Sequence, residues 1–233
     1  MKQYICWGLL LLLISCTDSP KKQKSNTVVK TEKQETESVK EEAKDTVVET
    51  LTTETAIPFL YEYEKKNKER FVRIITDYGN IDIELFKETP YHRANFIFLT
   101  KQHYFDGSVF HRVVKDFVIQ GGNSESWEIS RKRGKIGAYL LPPDTKKGFK
   151  HHRGIVSMPS SDIDNPHKYA SPYEFFIVVQ KPGAYHLDGN YTAFGKVIAG
   201  MDVVDKINSV ETEGTDNWPK KDIKMKVIIL NKQ

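Results

Sequence analysis

One arginine lies within a mainly apolar run that extends from Val109 to Gln120 and is followed by two glycines. The guanidinium of Arg112 is always charged, planar and forked, so it can donate well-oriented hydrogen bonds to a carbonyl oxygen. Phe117 and Val118 follow it in the same run. By residue type alone, however, Arg112 also suits a surface charge, and the two apolar residues suit a hydrophobic core.

Covalent and metal chemistry find little support elsewhere in the chain. Both cysteines, Cys6 and Cys16, lie near the N-terminus, so the later part has no thiol nucleophile, disulfide or thiolate ligand. No histidine has a spacing typical of zinc sites, and His151 and His152 are interpreted as the polar start of a strand or loop. We predict no metal or cofactor. The net charge of +4 is mild, and the basic run 131–135 is interpreted as a solvated loop, so no nucleic-acid partner is expected.

The N-terminal residues have the pattern of an export signal. Lys2 supplies a positive charge, and the apolar stretch from Ile5 to Ile14 is shorter than the roughly 20 residues of a membrane-spanning helix. The stretch ends in Leu13-Ile14-Ser15-Cys16, which resembles the bacterial lipobox, where cleavage before the cysteine frees it for lipid attachment. We predict a signal peptide at 1–15 and lipidation of Cys16. An ordinary secretory signal with an incidental cysteine is the alternative.

The next segment has the composition of a flexible tether. It is rich in Thr, Ser, Lys and Glu, and it has too few apolar residues to offset the entropy cost of ordering. We predict that residues 16–66 form the lipidated, charged tether and that residues 67–233 form the folded domain. This arrangement predicts a membrane-anchored lipoprotein of the cell envelope, on the periplasmic or outer-membrane side.

The later residues predict many short strands and two helices. A hairpin is indicated at 71–85, where β-rich runs flank a turn. One helix begins near Pro90, and a second is indicated by apolar residues at helical spacing in 201–207. This pattern is typical of a β-barrel or β-sandwich. Further strands are predicted at 109–120, 154–158, 174–179, 191–198 and 223–230, with a loop at 123–153.

The order of several motifs resembles that of the cyclophilins. The segment Phe110-His-Arg-Val-Val-Lys-Asp-Phe-Val-Ile-Gln-Gly-Gly-Asn123 is similar to the family's FHR-x-x-x-x-F-x-x-QGG block. The resemblance covers residues 70–231 and implies a mainly β fold, a closed eight-stranded antiparallel β-barrel capped by two α-helices. The other segments that resemble the family in the same order are Gly154-Ile-Val-Ser-Met158, Phe175-Phe176-Ile177, Leu187-Asp188-Gly189 and Phe194-Gly-Lys-Val197.

The resemblance implies a peptidyl-prolyl cis–trans isomerase, an enzyme that speeds rotation about the amide bond before proline. Arg112, Phe117 and Gln120 would be the catalytic residues, with Gln120 holding the Arg112 side chain in place. The clients would be unfolded or extended proline-containing polypeptides, and the protein is expected to be a monomer. The substrate-binding residues would be Val118, Ser160, Glu174, Phe176, His186, Leu187 and Tyr191.

Several positions depart from the well-known eukaryotic form of the family. His186 replaces a tryptophan, which argues against strong cyclosporin binding, whereas Tyr191 replaces a histidine and keeps an aromatic ring. Glu174 replaces a glutamine and could pair with Arg112. Pro159 lacks the N–H that a bound peptide could use. These departures leave a catalytically weak peptide-binding module as the alternative function, and a purely structural lipoprotein as a third reading.

Overall fold

The computed structural model of the protein describes residues 50–160 and 166–231. The predicted signal peptide, Cys16 and most of the predicted tether lie outside these residues. No helix in the two described ranges is both long enough and apolar enough to cross a bilayer.

The described part of the chain is mainly β. Two single turns of 3-10 helix lie at Thr145–Lys147 and Tyr185–Leu187. The other elements, in chain order, are β1 (Leu51–Thr52), α1 (Thr53–Lys66), β2 (Phe71–Thr76), β3 (Gly79–Leu85), α2 (Pro90–Lys101), β4 (Val109–Val114), β5 (Val118–Asn123), α3 (Trp127–Ile136), β6 (Gly137–Ala138), β7 (Ile155–Ser157), β8 (Phe175–Val178), β9 (Ala193–Ala199), α4 (Met201–Asn208), β10 (Thr212–Glu213), β11 (Trp218–Pro219) and β12 (Lys226–Ile229).

Eight of these strands form one antiparallel sheet in the order β12-β2-β3-β9-β7-β8-β5-β4. The sheet curls until its two edges meet. The Phe110 amide donates to the Ile223 carbonyl at 3.0 Å, and the Met225 amide donates to the Ser108 carbonyl at 2.8 Å. These bonds join the start of β4 to the segment before β12. The predicted eight-stranded antiparallel barrel is thus confirmed.

Alternation along the strands separates the inside of the barrel from its outer face. On β8, Phe175 and Ile177 belong to the main core, whereas Phe176 belongs to a second apolar cluster. Helix α2 contributes Phe96 to the main core and helix α4 contributes Val204. These are the two helices that the sequence predicted, and both lie against the barrel.

Two further α-helices correct the predictions. Helix α1 occupies residues 53–66, which were predicted as part of the tether, so the folded domain begins before residue 67. A capping box between Thr52 and Thr55 fixes its first turn, and Leu60 is fully buried in the main core. The tether prediction was wrong here because the averaged polar composition of the segment concealed one narrow apolar face.

The segment 123–153, predicted as a loop, contains helix α3. Its first turn is capped by Ser126, whose hydroxyl accepts a hydrogen bond from the Glu128 amide at 3.2 Å. Strand β6 directly follows α3 and pairs in parallel with β1, which directly precedes α1. This pairing links the two helices that the sequence did not predict. A side chain at Gly137 would lie 2.1 Å from the Leu51 carbonyl oxygen, so glycine is required at this crossing.

Candidate functional site

Arg112 lies on the outer side of the barrel because strand β4 is irregular at this point. Phe110 pairs with Gly121 and Arg112 pairs with Gln120, so two steps along β4 match one step along β5. Without this β-bulge, alternation would turn Arg112 to the same side as Phe110, which is fully buried in the main core. The bulge instead leaves Arg112 partly exposed, with its neighbour His111 on the same side.

Arg112, Gln120 and Phe176 form a row across three adjacent strands. Gln120 pairs with Arg112 on one side and with Phe176 on the other. Paired residues of an antiparallel sheet share a face, and adjacent strands lie about 4.8 Å apart, so the Cα atoms of Arg112 and Phe176 are about 10 Å apart. An extended arginine side chain can therefore reach the space beside the Phe176 ring.

A second apolar cluster lies beside this row, and we name it the outer cluster. It is built on the outer faces of β5 and β8 and on the 3-10 turn at 185–187. Five of the predicted site residues belong to it, which are Phe117, Val118, Phe176, Leu187 and Tyr191. Its other members are Phe86, Val114, Phe149, Ile155, Val178, Ala184 and Ala193.

The rings of the outer cluster form a floor and a rim. Phe176 and Leu187 are buried, and Phe176 meets Tyr191 edge-on with 5.7 Å between ring centroids. Phe117 is half-buried and stacks on the exposed His186 at 5.4 Å. His186, for which substrate binding stays a prediction, thus lies at the rim. An apolar floor with aromatic walls suits a small apolar ring.

The Glu174 carboxylate belongs to a hydrogen-bonded network that does not include Arg112. Its Oε2 accepts from the Gln120 amide at 2.8 Å and lies 3.4 Å from His111 Nε2, and its Oε1 accepts from Asn123 at 3.2 Å. Burial pushes the pKa of Glu174 up, but the bonds from His111 and Gln120 together hold it below its usual value. The expected contacts of Arg112 with Gln120 and Glu174 are thus replaced by a bond between those two residues.

The bonding of the Arg112 guanidinium differs from what the sequence predicted. Within the residues that the structure describes, no acceptor lies within hydrogen-bonding or ion-pairing distance of it. Arg133, by contrast, donates to the Tyr104 hydroxyl and to Asn123, both at 3.0 Å. Arg112 is therefore a forked donor that can serve a ligand bound over the outer cluster.

Ser160, also predicted to bind substrate, is tied to another segment. It follows β7 and forms an isolated bridge with Ala170. The carbonyl of the preceding Pro159 accepts the Ser171 amide at 2.9 Å. No hydrogen bond or ring contact in the described ranges joins Ser160 to the outer cluster, and its role in substrate binding stays a prediction.

A buried hydrogen-bonded chain beside Phe176 was not predicted. The two ring nitrogens of His151 lie 2.9 Å from Asp188 Oδ1 and 2.9 Å from Ser157 Oγ, and its ring is nearly parallel to that of Phe176 at 6.2 Å. Burial lowers the pKa of His151 although Asp188 opposes this. Ser157 is fully buried, so this chain supports the outer cluster and cannot offer a nucleophile to a bound peptide. The sequence alone gives no sign that His151 is buried while the adjacent His152 is exposed.

Comparison with known proteins agrees with this geometry. The family model described as "Cyclophilin type peptidyl-prolyl cis-trans isomerase/CLD" matches residues 71–229. A Rhizopus delemar protein named "Peptidyl-prolyl cis-trans isomerase-like 2" is 39% identical over 169 residues, which are 71% of this chain and 30% of that protein. An Acinetobacter baylyi peptidyl-prolyl cis-trans isomerase is 36% identical over 161 residues, which are 66% of this chain and 81% of that protein.

Solved structures show the same likeness. A cyclophilin-type peptidyl-prolyl cis-trans isomerase from Cryptosporidium parvum matches 71% of this chain and 99% of its own, with a TM-score of 0.59 and 29% sequence identity. A second structure, described as obtained in the presence of the dipeptide Ala-Pro, matches with a TM-score of 0.58. This chain belongs to the cyclophilin family of peptidyl-prolyl cis–trans isomerases. The family expected from its sequence motifs is confirmed.

Proposed function

We propose that this protein accelerates rotation about X–Pro amide bonds in exported proteins that are folding at the cell envelope. The observation that carries the proposal is the position of Arg112. Its guanidinium has no acceptor among residues 50–160 and 166–231, and Arg112 shares an outer face with Phe176 beside the outer cluster. A forked cation next to a ring-sized apolar surface is the arrangement that this reaction needs.

The chemistry requires no nucleophile and no proton transfer. Rotation about the amide bond has a barrier of roughly 18–20 kcal/mol because it breaks the conjugation of nitrogen with the carbonyl. The outer cluster would hold the proline ring while the preceding carbonyl turns. Arg112 would then bind the twisted amide more strongly than either planar form, and each 1.36 kcal/mol or so of such preference gives about tenfold in rate.

The other predicted site residues have supporting roles in this proposal. Phe117, Val118, Phe176, Leu187 and Tyr191 would line the proline pocket. Gln120 lies between Arg112 and Phe176. Its side-chain amide donates to Glu174, and this bond would keep the Gln120 side chain from covering the Arg112 guanidinium. The residues expected to contact the client chain on either side of the proline are Ser160, Glu174 and His186.

A protease-coupled isomerisation assay on an X–Pro peptide tests the proposal. Replacement of Arg112 by alanine should lower kcat/KM by about a hundredfold to a thousandfold, because one preorganised donor to the transition state is lost. The matched control is Arg131→Ala, which removes an exposed arginine of helix α3 and should leave the rate unchanged. Equal rates for the wild type and Arg112→Ala would overturn the proposed role.

A peptide-binding module without useful turnover is the second candidate. Two observations favour it. Pro159 has no N–H to offer a peptide, and its carbonyl is already occupied by Ser171. If this candidate is correct, the wild type and Arg112→Ala will show equally negligible isomerisation, while a proline-containing peptide still shifts the amide signals of the outer cluster in an NMR titration.

The location at the envelope rests on the leader sequence alone. We propose that Cys16 carries lipid and that the charged segment after it holds the isomerase near exported clients. Several acyl chains on one cysteine anchor a protein stably, since each buried CH₂ contributes about 0.8 kcal/mol. Labelling of cells with radioactive palmitate should mark the wild type and the Cys6→Ser control but not Cys16→Ser. An unlabelled wild type would end the lipoprotein proposal.

A further inference from the structure

The turn between β4 and β5 places a residue other than glycine in the left-handed backbone region. Asp116 has a φ of 58°, in the left-handed region, which glycine adopts without strain and which Asp adopts at a smaller cost than most other residues. The Phe117 amide donates to the Val114 carbonyl at 3.1 Å, so residues 114–117 form a tight turn with Asp116 at its third position. Glycine is the usual residue at such a position, so bonds from outside the turn would help to hold Asp116 in this conformation.

The side chain of Asn208, at the end of helix α4, makes three hydrogen bonds to the turn. Its Oδ1 accepts from the Asp116 amide at 2.8 Å. Its Nδ2 donates to the carbonyls of Val114 at 2.9 Å and Val118 at 3.4 Å. Asn208 is buried, and the neighbouring Ile207 is fully buried in the main core, so the amide is fixed to the barrel.

An open cleft lies beside the turn. The cleft has a volume of about 540 Å³, and it is lined by Lys115 and Asp116 of the turn and by Asp205, Asn208 and Ser209 of the helix end. Both turn residues are exposed. Among the described residues, Asn208 is the one whose side chain hydrogen-bonds the backbone of the turn.

The turn matters to the site because it carries Phe117. The Phe117 ring stacks on His186 at the rim of the outer cluster. Its carbonyl accepts the amides of Val179 at 2.7 Å and Gln180 at 3.1 Å, so its backbone is also joined to the segment after β8. A change in the turn would therefore move this ring relative to Phe176 and Leu187.

We infer that Asn208 is a positioning residue for the proline pocket, although it lies outside the pocket and does not face the substrate. It would hold residues 114–118 in the strained turn and so place the Phe117 ring at the rim. The inference rests on the proposed function, because the role of Phe117 as a pocket wall belongs to that proposal.

Kinetics of Asn208→Ala, with a rescue variant, test the inference. Asn208→Ala should raise the KM for an X–Pro peptide about tenfold and leave kcat within about twofold, because the pocket rim is displaced while Arg112 is not. Adding Asp116→Gly should bring KM back to within about threefold of the wild type, since glycine adopts the left-handed conformation unaided. The exposed Asn80, replaced by alanine, is the matched control and should change neither constant.

Two results from these variants would overturn the inference, and a third comes from NMR. One is a lower melting temperature of Asn208→Ala with an unchanged KM, which would make Asn208 a structural residue only. The other is a raised KM that Asp116→Gly does not restore. The NMR signals of the Phe117 ring give a readout that needs no catalysis, and they should move in Asn208→Ala and return in the double variant. Failure of the wild type to isomerise any peptide would refute the proposed function, whereas unmoved Phe117 signals would refute this inference.

Discussion

Phe175 and Phe176 are neighbours in the chain, have the same side chain and are both buried, yet they serve opposite sides of the barrel wall. Phe175 meets the rings of Phe96 at 5.6 Å and Phe110 at 6.0 Å inside the barrel. Phe176 meets Tyr191 on the outer face. The partly exposed Arg112 lies on the same face, two strands away from Phe176. Burial alone therefore does not separate the main core from the outer cluster.

The two regions differ in what surrounds their rings. The inner rings of Phe96, Phe110 and Phe175 are nearly or fully buried and pack against one another. The outer cluster is supported from within by the His151, Asp188 and Ser157 chain, and it has half-buried rings at Phe117 and Tyr191. It resembles a core with one neighbour missing, and in the proposed function a proline ring supplies that neighbour.

The sharpest test of this comparison replaces each of the two phenylalanines by alanine. Phe175→Ala should lower the free energy of unfolding by about 3–5 kcal/mol, because it leaves a cavity among inner rings. Phe176→Ala should cost about half as much or less, and should raise KM by about tenfold or more. Denaturant unfolding and the isomerisation assay measure the two effects. Equal losses of stability for both variants would break the distinction.

The main core also extends into helix α1, which the sequence placed in the tether. Leu60→Ala should lower the free energy of unfolding by about 2–5 kcal/mol without changing KM, because Leu60 is fully buried on the inner side. Tyr61→Ala, at the adjacent exposed position, should change stability by less than about 0.5 kcal/mol. A negligible effect of Leu60→Ala in urea titrations would show that helix α1 is not part of the folded core.

Acid should weaken the inner region through His92. Burial lowers the pKa of this fully buried histidine to about 4, so between pH 6.5 and 4 the unfolded chain takes up a proton that the folded chain refuses. The free energy of unfolding should therefore decrease as the pH is lowered from 6.5 to 4, by about 3 kcal/mol in total. His92→Leu should flatten that dependence, whereas His152→Leu, at an exposed position, should keep it. An unchanged slope in His92→Leu would exclude this histidine as the cause.

The smallest effect is expected at Glu174 on the outer face. Its lowered pKa means that the carboxylate stabilises the fold above its unfolded pKa and that this contribution is lost as pH falls through the lower folded value. Glu174→Gln should cost about 1 kcal/mol at pH 7 and remove that acid-range loss. Since Glu174 does not bind Arg112, kcat/KM should change by less than about threefold. A gain of tenfold would show that Glu174 restrains the arginine.

Much of the barrel could be predicted from local patterns. The hairpin at 71–85, the helix that begins at Pro90 and the short strands follow from alternation, caps and turns, and the motif order supplied the strand number and closure. Helix α1 could not be predicted in this way, because its stability comes from Leu60 and its neighbours meeting a surface that is distant in the sequence.

The contacts of the candidate site residues could not be predicted from local patterns. Alternation alone turns Arg112 inward, and only the bulge at His111 and Arg112 explains its outward position. The bond between Gln120 and Glu174 joins residues that are far apart in the sequence and adjacent only through the pairing of β5 with β8. The support of the Phe117 turn by Asn208 has no local signal for the same reason.

The role of the forked guanidinium is tested most directly by the kcat/KM of Arg112→Lys in the isomerisation assay, with the melting temperature measured alongside. Lysine keeps the positive charge at the edge of the outer cluster but removes the planar fork. If the forked guanidinium binds the twisted amide, kcat/KM should fall by about a hundredfold at an unchanged melting temperature. A lysine variant within threefold of the wild type would contradict this account, because charge alone would then suffice.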